Sequence, residues 1–346
     1  MNKVAIIIVN WNGKRFLKDC LESIFNQSYK NFDVYFVDNG SIDGSIEFLQ
    51  ENFSKVKIIK LDKNTGFAYP NNLGIIEAFN DNEVEYILTI NNDTKVDENF
   101  LANLVLSMEL DSSIASVAPK IRFFYEENLI DSVGIIISRD GSGMNRGFKV
   151  LDNGQYDNRE EVFGACAGAS LYRRKALEDV SYENEYFDNS FFAYYEDLDL
   201  AWRLRLKGWK SVTCPEAIVY HIHSATAISH SPFKAYYVNR NRFFLMMKVL
   251  PTRFLIDAFV LTPWRYLKLL NSMFIRKSGP SYKLKKNSNL VKPFLVVFKG
   301  WLSFAWNIPA LFRKRRWIQH NKKVTTEEIK SWFSKYGANQ EDMIYK

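Results

Sequence analysis

Apolar runs that stop abruptly at Asn, Asp and Gly, each followed by apolar residues at helical spacing, set the rhythm of the first part of the chain. Val4 to Val9 is continuously apolar, as a strand buried on both faces must be. Asn10-Trp11-Asn12-Gly13 closes it, and Phe16, Leu17, Leu21, Ile24 and Phe25 then recur at the helix period. Phe32 to Val37 predicts a second strand and Val56 to Leu61 a third. Asn64-Thr65-Gly66-Phe67-Ala68 opens a helix through Asn71, Asn72 and Gly74, and Tyr86 to Ile90 is a fourth strand. Strands alternating with helices in this way imply βα units with right-handed crossovers. The expected class is α/β, with a mixed, mainly parallel central sheet flanked by helices.

Further on, Phe100 to Met108 reads as a helix and Ser113 to Pro119 as a strand. The interval from Arg122 to Glu161 is rich in Asp, Asn and Gly and reads as loops, including the glycine-spaced stretch Gly141 to Gly147. Phe163 to Ser170 is built of small residues, which allow close approach to a ligand, and leads into an apolar strand.

Composition alters this picture mainly at the end of the chain. The protein has 346 residues and net charge +7, but from Phe233 onward Lys and Arg number 23 against 5 acids, net +18. The first 232 residues hold 23 against 34, net −11, so the two regions are expected to do different work. Three cysteines, Cys20, Cys166 and Cys214, lie far apart without metal-site spacing and read as reduced thiols of a cytosolic protein. Cys166 has no basic neighbour in sequence and reads as a packed thiol. The opening apolar run is too short before its polar turn for a signal peptide.

Candidate chemistry gathers where strands end. Asp93 is a hard oxygen ligand, and Asn91, two residues earlier on an extended backbone, shares its side; together they suit a divalent cation or, equally, an Asx turn. Asn10 suits a nucleotide contact or a turn, and Asp38 can accept hydrogen bonds from a base or ribose. An aromatic wall, Phe191 to Tyr195, opens onto Glu196, Asp197 and Asp199, a setting that raises a carboxylate's pKa; acidic residues in a first helical turn have the same pattern, and Asp199 is read that way. His221 and His223 fall on one side of a strand and can chelate or be structural. No GxGxxG follows the first strand.

The ordered segments Val-Asn-Trp-Asn at 9–12, Val-Asp-Asn-Gly-Ser-Ile-Asp-Gly-Ser at 37–45, Asn-Thr-Gly-Phe-Ala at 64–68 with Asn72, Ile-Asn-Asn-Asp-Thr at 90–94 and Glu196-Asp197 resemble glycosyltransferase family 2. The resemblance covers about residues 3–245 and implies the GT-A nucleotide-sugar-binding fold, with inverting transfer of a sugar. It makes Asp197 the base, Glu196 its neighbour, and Asp93 with His221, Asn91 and His223 the site of Mg2+ or Mn2+. Nucleotide-sugar contacts fall on Asn10, Asp38, Asn39, Gly66, Asn72, Asn91, Asn92 and Gly168. The family's D-x-D is here Asn91-Asn92-Asp93, a form similar to that of rhamnosyltransferase-like members, so dTDP-rhamnose is the expected donor, with UDP-hexose or UDP-galactofuranose as alternatives. A non-catalytic nucleotide-sugar-binding scaffold is the rival from another class.

Tyr236-Tyr237-Val238-Asn239-Arg240-Asn241-Arg242 also resembles those members, and Arg240 and Arg242 suit a phosphate clamp or surface salt bridges. Beyond it, Phe254 to Ile275 and Phe294 to Phe312 are apolar, broken by Pro263 and Pro309, and flanked by Lys and Arg. The expected organisation is therefore a catalytic domain over 1–245 and an amphipathic helical tail over 246–346 lying on the cytoplasmic face of the plasma membrane. A plain helical cap on the core is the alternative. The acceptor is expected to be a glycan or polyprenyl-linked glycan, and the chain carries no nucleic-acid recognition motif.

Overall fold

The computed structural model describes residues 1–222, 231–286, 291–338 and 343. Its centre is an apolar strand, β1 (Lys3–Asn10), in which Val4 to Ile8 are buried on both faces. Helix α1 (Lys14–Phe25) follows, and its buried Leu17, Cys20, Leu21 and Ile24 make one stripe against the sheet. Then come β2 (Phe32–Asn39), α2 (Ser45–Asn52), β3 (Lys57–Leu61), α3 (Ala68–Phe79), β4 (Val84–Asn91), β5 (Thr94–Val96), α4 (Phe100–Glu109) and β6 (Ile114–Phe123). Strands β3, β2, β1 and β4 run parallel in that spatial order, with Asn10 opposite Asp38 and Val9 opposite Asn91. The carboxyl ends of β1, β2 and β4 therefore share one rim of the sheet, where ligands of open α/β folds sit.

The interval 122–161 is not only loop. It holds β7 (Leu129–Ser132), β8 (Ile135–Ile137), β9 (Gly143–Asn145), β10 (Val150–Leu151) and the start of β11 (Glu161–Val162). These strands of two to four residues are too short to show a period, and ion pairs hold the excursion: buried Lys120 reaches Asp152 at 3.0 Å and Arg122 reaches it at 2.6 Å. Next, β12 (Ala169–Arg173) inserts antiparallel between β4 and β6. After α5 (Arg174–Val180) and α6 (Glu196–Leu206), β13 (Lys210–His221) runs parallel to β6 and antiparallel to β5 and β11. The long parallel ladders with this antiparallel insertion make the expected mixed, mainly parallel sheet with helices on its faces.

The division expected at 245/246 falls inside one helix, α7 (Pro232–Val249), which Ser231 caps by accepting from Lys234 N. After it come α8 (Thr252–Asn271), a π-helical turn Ser272–Arg276, α9 (Gly279–Lys286), α10 (Val291–Asn321) and α11 (Thr326–Lys335), the last opened by a Thr325–Glu328 capping box. These helices share a core with α6: Leu198, Trp202 and Leu206 pack with Phe243, Phe254, Phe304, Ile329 and Phe333. The terminal segment also pairs its backbone with β8, Ala338 N donating to Ile137 O at 2.9 Å. The tail is thus built onto α6 as a cap. Its outer side remains apolar, with Ile256, Val260, Trp264 and Leu267 exposed on α8 and Phe294, Phe298, Leu302 and Trp306 on α10.

Candidate active site

Three buried side chains knit the rim where β1, β2 and β4 end. Asn92 donates to Asn10 Oδ1 at 2.6 Å, and Asn10 donates to Asp38 Oδ1 at 3.3 Å and to Ser41 Oγ at 3.0 Å. Gly13 makes this possible, because a β-carbon there would occupy the space of the Asn92 amide. Asp38 also accepts from Ser41 N at 3.0 Å. Asn39 turns away and holds the 64–66 loop, donating to Gly66 O at 2.7 Å and accepting from Thr65 N at 2.9 Å. Gly66, at φ +92°, lies so close to the Phe192 carbonyl that a side chain cannot fit.

Three expected ligand contacts have other employment. Asn72 is buried and uses its whole amide on a distant loop: Oδ1 accepts from Tyr186 N and Phe187 N, and Nδ2 donates to Phe187 O and Asn189 Oδ1. It braces that loop instead of facing the rim. Arg242 is buried in the core, donating to Asp140 O at 2.6 Å and to Thr262 Oγ1 at 3.3 Å, so it is neither a phosphate clamp nor a surface ion pair. Arg240 likewise donates to Ser190 O and Phe191 O and stacks over Tyr237.

The Asp93 corner assembles at the ends of β4, β7 and β13. His221 ends β13, and Ile222 N donates to Asp93 O at 3.1 Å, which brings His221 Nε2 to 3.2 Å from Asp93 Oδ1. Asn91 Nδ2 lies 3.3 Å from the same nitrogen. Asp131, at the end of β7, holds His221 Nδ1 at 2.7 Å; nothing in its loop-like surroundings singled it out. Burial lowers the pKa of His221, but the hydrogen bonds to Asp131 and then Asp93 carry it up to about 10. His223 lies outside the described residues.

This donor set fits a divalent cation. Asp131 on Nδ1 orients the ring, and Nε2–H faces Asp93; a cation bound between them would replace that proton and take Nε2 as a ligand, the arrangement that carboxylate–histidine–metal sites use. Half a turn of the Asn91 amide adds an oxygen. Among the described residues no three His, Cys, Asp or Glu side chains converge as a complete metal cage. Few protein ligands suit an ion whose remaining positions are taken by phosphates and water.

Gly168, with Cys166 and Ala167 before it that hydrogen-bond to Asp197, links this corner to the carboxylates. Its carbonyl accepts from Asn91 N at 2.8 Å, and its Cα side abuts both the Asn91 amide and Cys166 Sγ. The Cys166 thiol is pushed well up by burial, then by Asp197 and Asp131, which leaves it a packed, unreactive group. Asp197 and Glu196 open α6, which follows Tyr195 in the left-handed region. Asp197 accepts from Leu198 N at 2.7 Å, and burial raises its pKa. Glu196 is 8% exposed, its Oε2 has no hydrogen-bond partner, and burial and then Asp197 push it up to about 8. The two carboxyls titrate as a pair that burial makes hold a proton more tightly than free carboxylates do, the setting of a group that takes a proton from a hydroxyl near neutral pH. Asp199 is not a mere dipole partner; fully buried, it pairs with Arg203 at 2.8 Å and Lys248 at 2.6 Å.

The family model described as glycosyl transferase family 2 matches residues 5–181. The chain belongs to glycosyl transferase family 2. The matched stretch contains the Asn10–Asp38 rim, Asp93 and Gly168, and it stops short of Glu196, Asp197 and His221. The glycosyltransferase GlyG of Streptococcus pneumoniae serotype 4 is 30% identical over 106 residues, 29% of this chain and 33% of that protein. The poly-beta-1,6-N-acetyl-D-glucosamine synthase of Staphylococcus epidermidis is 22% identical over 220 residues, 63% of this chain and 49% of that one. The chain thus spans half or less of the length of these relatives. The structure of GalNAc-T7 with UDP, GalNAc and Mn2+ covers 63% of this chain and 43% of its own, at 15% identity and TM-score 0.52, a likeness of fold. This family 2 chain has the GT-A architecture.

Proposed function

We propose that this chain is an inverting glycosyltransferase that moves a sugar from a nucleotide-sugar to a hydroxyl of a glycan or polyprenyl-linked glycan in surface polysaccharide synthesis. The observation that carries the reading is the pair Glu196 and Asp197 at the head of α6, with the Asp93–His221 corner joined to it through residues 166–168, where Gly168 O accepts from Asn91 N and Ala167 and Cys166 hydrogen-bond to Asp197. Asp38, Asn10 and Asn92 form the polar rim for base and ribose. Asp93 and His221, with Asn91, would hold Mg2+ or Mn2+, which supplies charge neutralisation to the departing diphosphate. Asp197 takes the acceptor's proton on the opposite face of the sugar, and a single displacement inverts the anomeric carbon. The proton that the buried Glu196–Asp197 pair retains keeps a second negative charge from the site.

dTDP-rhamnose is the preferred donor, on the Asn91-Asn92-Asp93 pattern, ahead of UDP-hexose and UDP-galactofuranose. The acceptor meets the enzyme at a membrane surface. Among the described residues one helix, spanning Lys292–Asn321, is long and apolar enough to cross a membrane by length and composition. With α8 it exposes aromatic and aliphatic side chains among basic ones, which suits a helix lying in an anionic cytoplasmic leaflet.

The test is binding of a panel of nucleotide-sugars with and without Mn2+, followed by transfer or hydrolysis in the native protein and in Asp197→Asn. The expected result is metal-dependent binding of one donor, with turnover lost by about a thousandfold or more and donor affinity kept in the variant. Turnover unaffected by Asp197→Asn would make the chain a nucleotide-sugar-binding scaffold.

A further inference from the structure

The segment that sets down the two carboxylates is wound the wrong way for its residues. Phe192, Tyr194 and Tyr195 have φ of 62°, 68° and 75°, although none is glycine. Side chains at such φ are strained, and a chain keeps three within four residues only where its surroundings over-determine them. Immediately after them α6 begins at Glu196 with no side-chain cap of its own. The direction in which Glu196 and Asp197 point is therefore inherited from this turn.

What holds the turn comes from α7. Asn241 is fully buried, and its Nδ2 lies 2.9 Å from Phe191 O, 2.9 Å from Ala193 O and 2.7 Å from Tyr194 O. Its Oδ1 accepts from Arg240 Nε at 2.8 Å, which fixes the amide's orientation. Arg240 adds its own bonds to Ser190 O and Phe191 O, and Phe192 O accepts from Phe67 N at 2.5 Å. The carbonyls from 190 to 194 thus all point at donors from outside their own segment. A primary amide suits this position, since it brings two hydrogens to carbonyls that water cannot reach. An apolar residue would leave them buried and unpaired, and a carboxylate would set acceptor against acceptor. Packing does not require the amide: Phe243, Phe244 and Leu245 already bury α7 beside it.

We propose that Asn241 is a positioning residue of the transferase, the clamp that holds the left-handed turn 192–195 and so sets Glu196 and Asp197 toward the acceptor. The proposal rests on the reading of those carboxylates given above. The hydrogen bonds of Asn241 go to the turn and to Arg240, not to the Asn10–Asp38 rim or the Asp93 corner, so the clamp acts first on turnover.

The experiment compares the full-length native protein with Asn241→Asp, Arg240→Gln and Asp197→Asn. The readouts are donor Kd, kcat and its pH profile, thermal unfolding, and backbone hydrogen exchange, with dTDP-rhamnose, UDP-glucose, UDP-galactose and UDP-galactofuranose as probes and release of nucleoside diphosphate as the signal. Asn241→Asp is expected to lower kcat about a hundredfold, the scale of a misplaced catalytic group, to shift the pH midpoint of kcat, and to leave donor Kd within about twofold. Exchange should quicken over 190–199 and stay native in β1 and β4. Arg240→Gln, which leaves the amide in place but unoriented, is expected to act in the same direction by about tenfold. A native kcat in a folded Asn241→Asp protein, or unchanged exchange over 190–199, overturns the clamp; if that variant does not fold, an inert Arg240→Gln does so. Failure of the transferase reading looks different: no probe is turned over, or Asp197→Asn is fully active, while exchange alone then decides whether Asn241 holds the turn.

Discussion

Glu196 carries a buried oxygen without a partner next to a second carboxylate, and this has a pH signature. Its folded pKa of about 8 lies above the unfolded value, so the folded chain holds a proton that the unfolded chain releases. Its contribution to stability is complete below the unfolded pKa and is lost as pH rises through about 8. Glu196→Gln keeps the neutral form at every pH. Its melting temperature relative to the native protein should therefore climb by a few degrees between pH 5 and pH 8 and level off above; a difference independent of pH would mean that the proton sits elsewhere. At this scale the sequence showed which residues are polar at strand ends but not where their side chains point. Asn10 and Asn72 look alike in sequence, yet one lies on the rim and the other is used up by residues 186–189, more than a hundred positions away. Asp131 was invisible for the same reason, since its role comes entirely from His221.

Helix α6 is held from beneath by charge. Lys248 of α7 lies between Asp188 and Asp199, 2.6 Å from the latter and in close contact with the former, and Lys314 of α10 reaches Asp188 at 2.7 Å. Burial alone would raise the pKa of Asp188, but Lys248 and Lys314 hold it far below the usual carboxylate range. Its stabilising contribution is present above the unfolded carboxylate pKa and is lost as pH falls. Lys248→Met leaves two buried carboxylates short of a cation, a loss of about 3–5 kcal/mol measurable by urea unfolding. Part of this deficit should be recovered in the double variant Lys248→Met, Asp188→Asn; a single variant as stable as the native protein would show that the ion cluster contributes nothing. Elements with a clear period were legible: β1 to β4, α1, α3 and α4 fall where the apolar pattern puts them. The strands between 122 and 161 were not, because segments this short are specified by tertiary pairing and ion pairs, not by alternation.

The division of charge in the sequence, acidic before Phe233 and basic after, anticipated two jobs, but the molecule does not divide there. The tail's inner face completes the core around Trp202, so cutting the chain at 246 would expose that core and would not isolate a function. Its outer face is what distinguishes a cap from a membrane seat. Trp306 is 88% exposed on α10, in a stripe with Leu302 and Phe298, and Trp264 leads a similar stripe on α8. Apolar area of this kind in water costs free energy that a purely structural cap has no reason to bear, and the surrounding Lys and Arg match an anionic leaflet. Point substitution separates the roles, because an exposed residue contributes little to folding. Trp306→Glu should leave the melting temperature and donor binding unchanged while weakening cosedimentation with phosphatidylglycerol vesicles by about tenfold, the value of burying one large apolar side chain. The native protein should bind such vesicles less at high salt and bind phosphatidylcholine vesicles weakly throughout, since about 1 kcal/mol per basic residue is lost when the surface is neutral. If native protein and Trp306→Glu sediment alike on both lipids, the exposed stripes do not touch a bilayer and the basic tail is a cap alone.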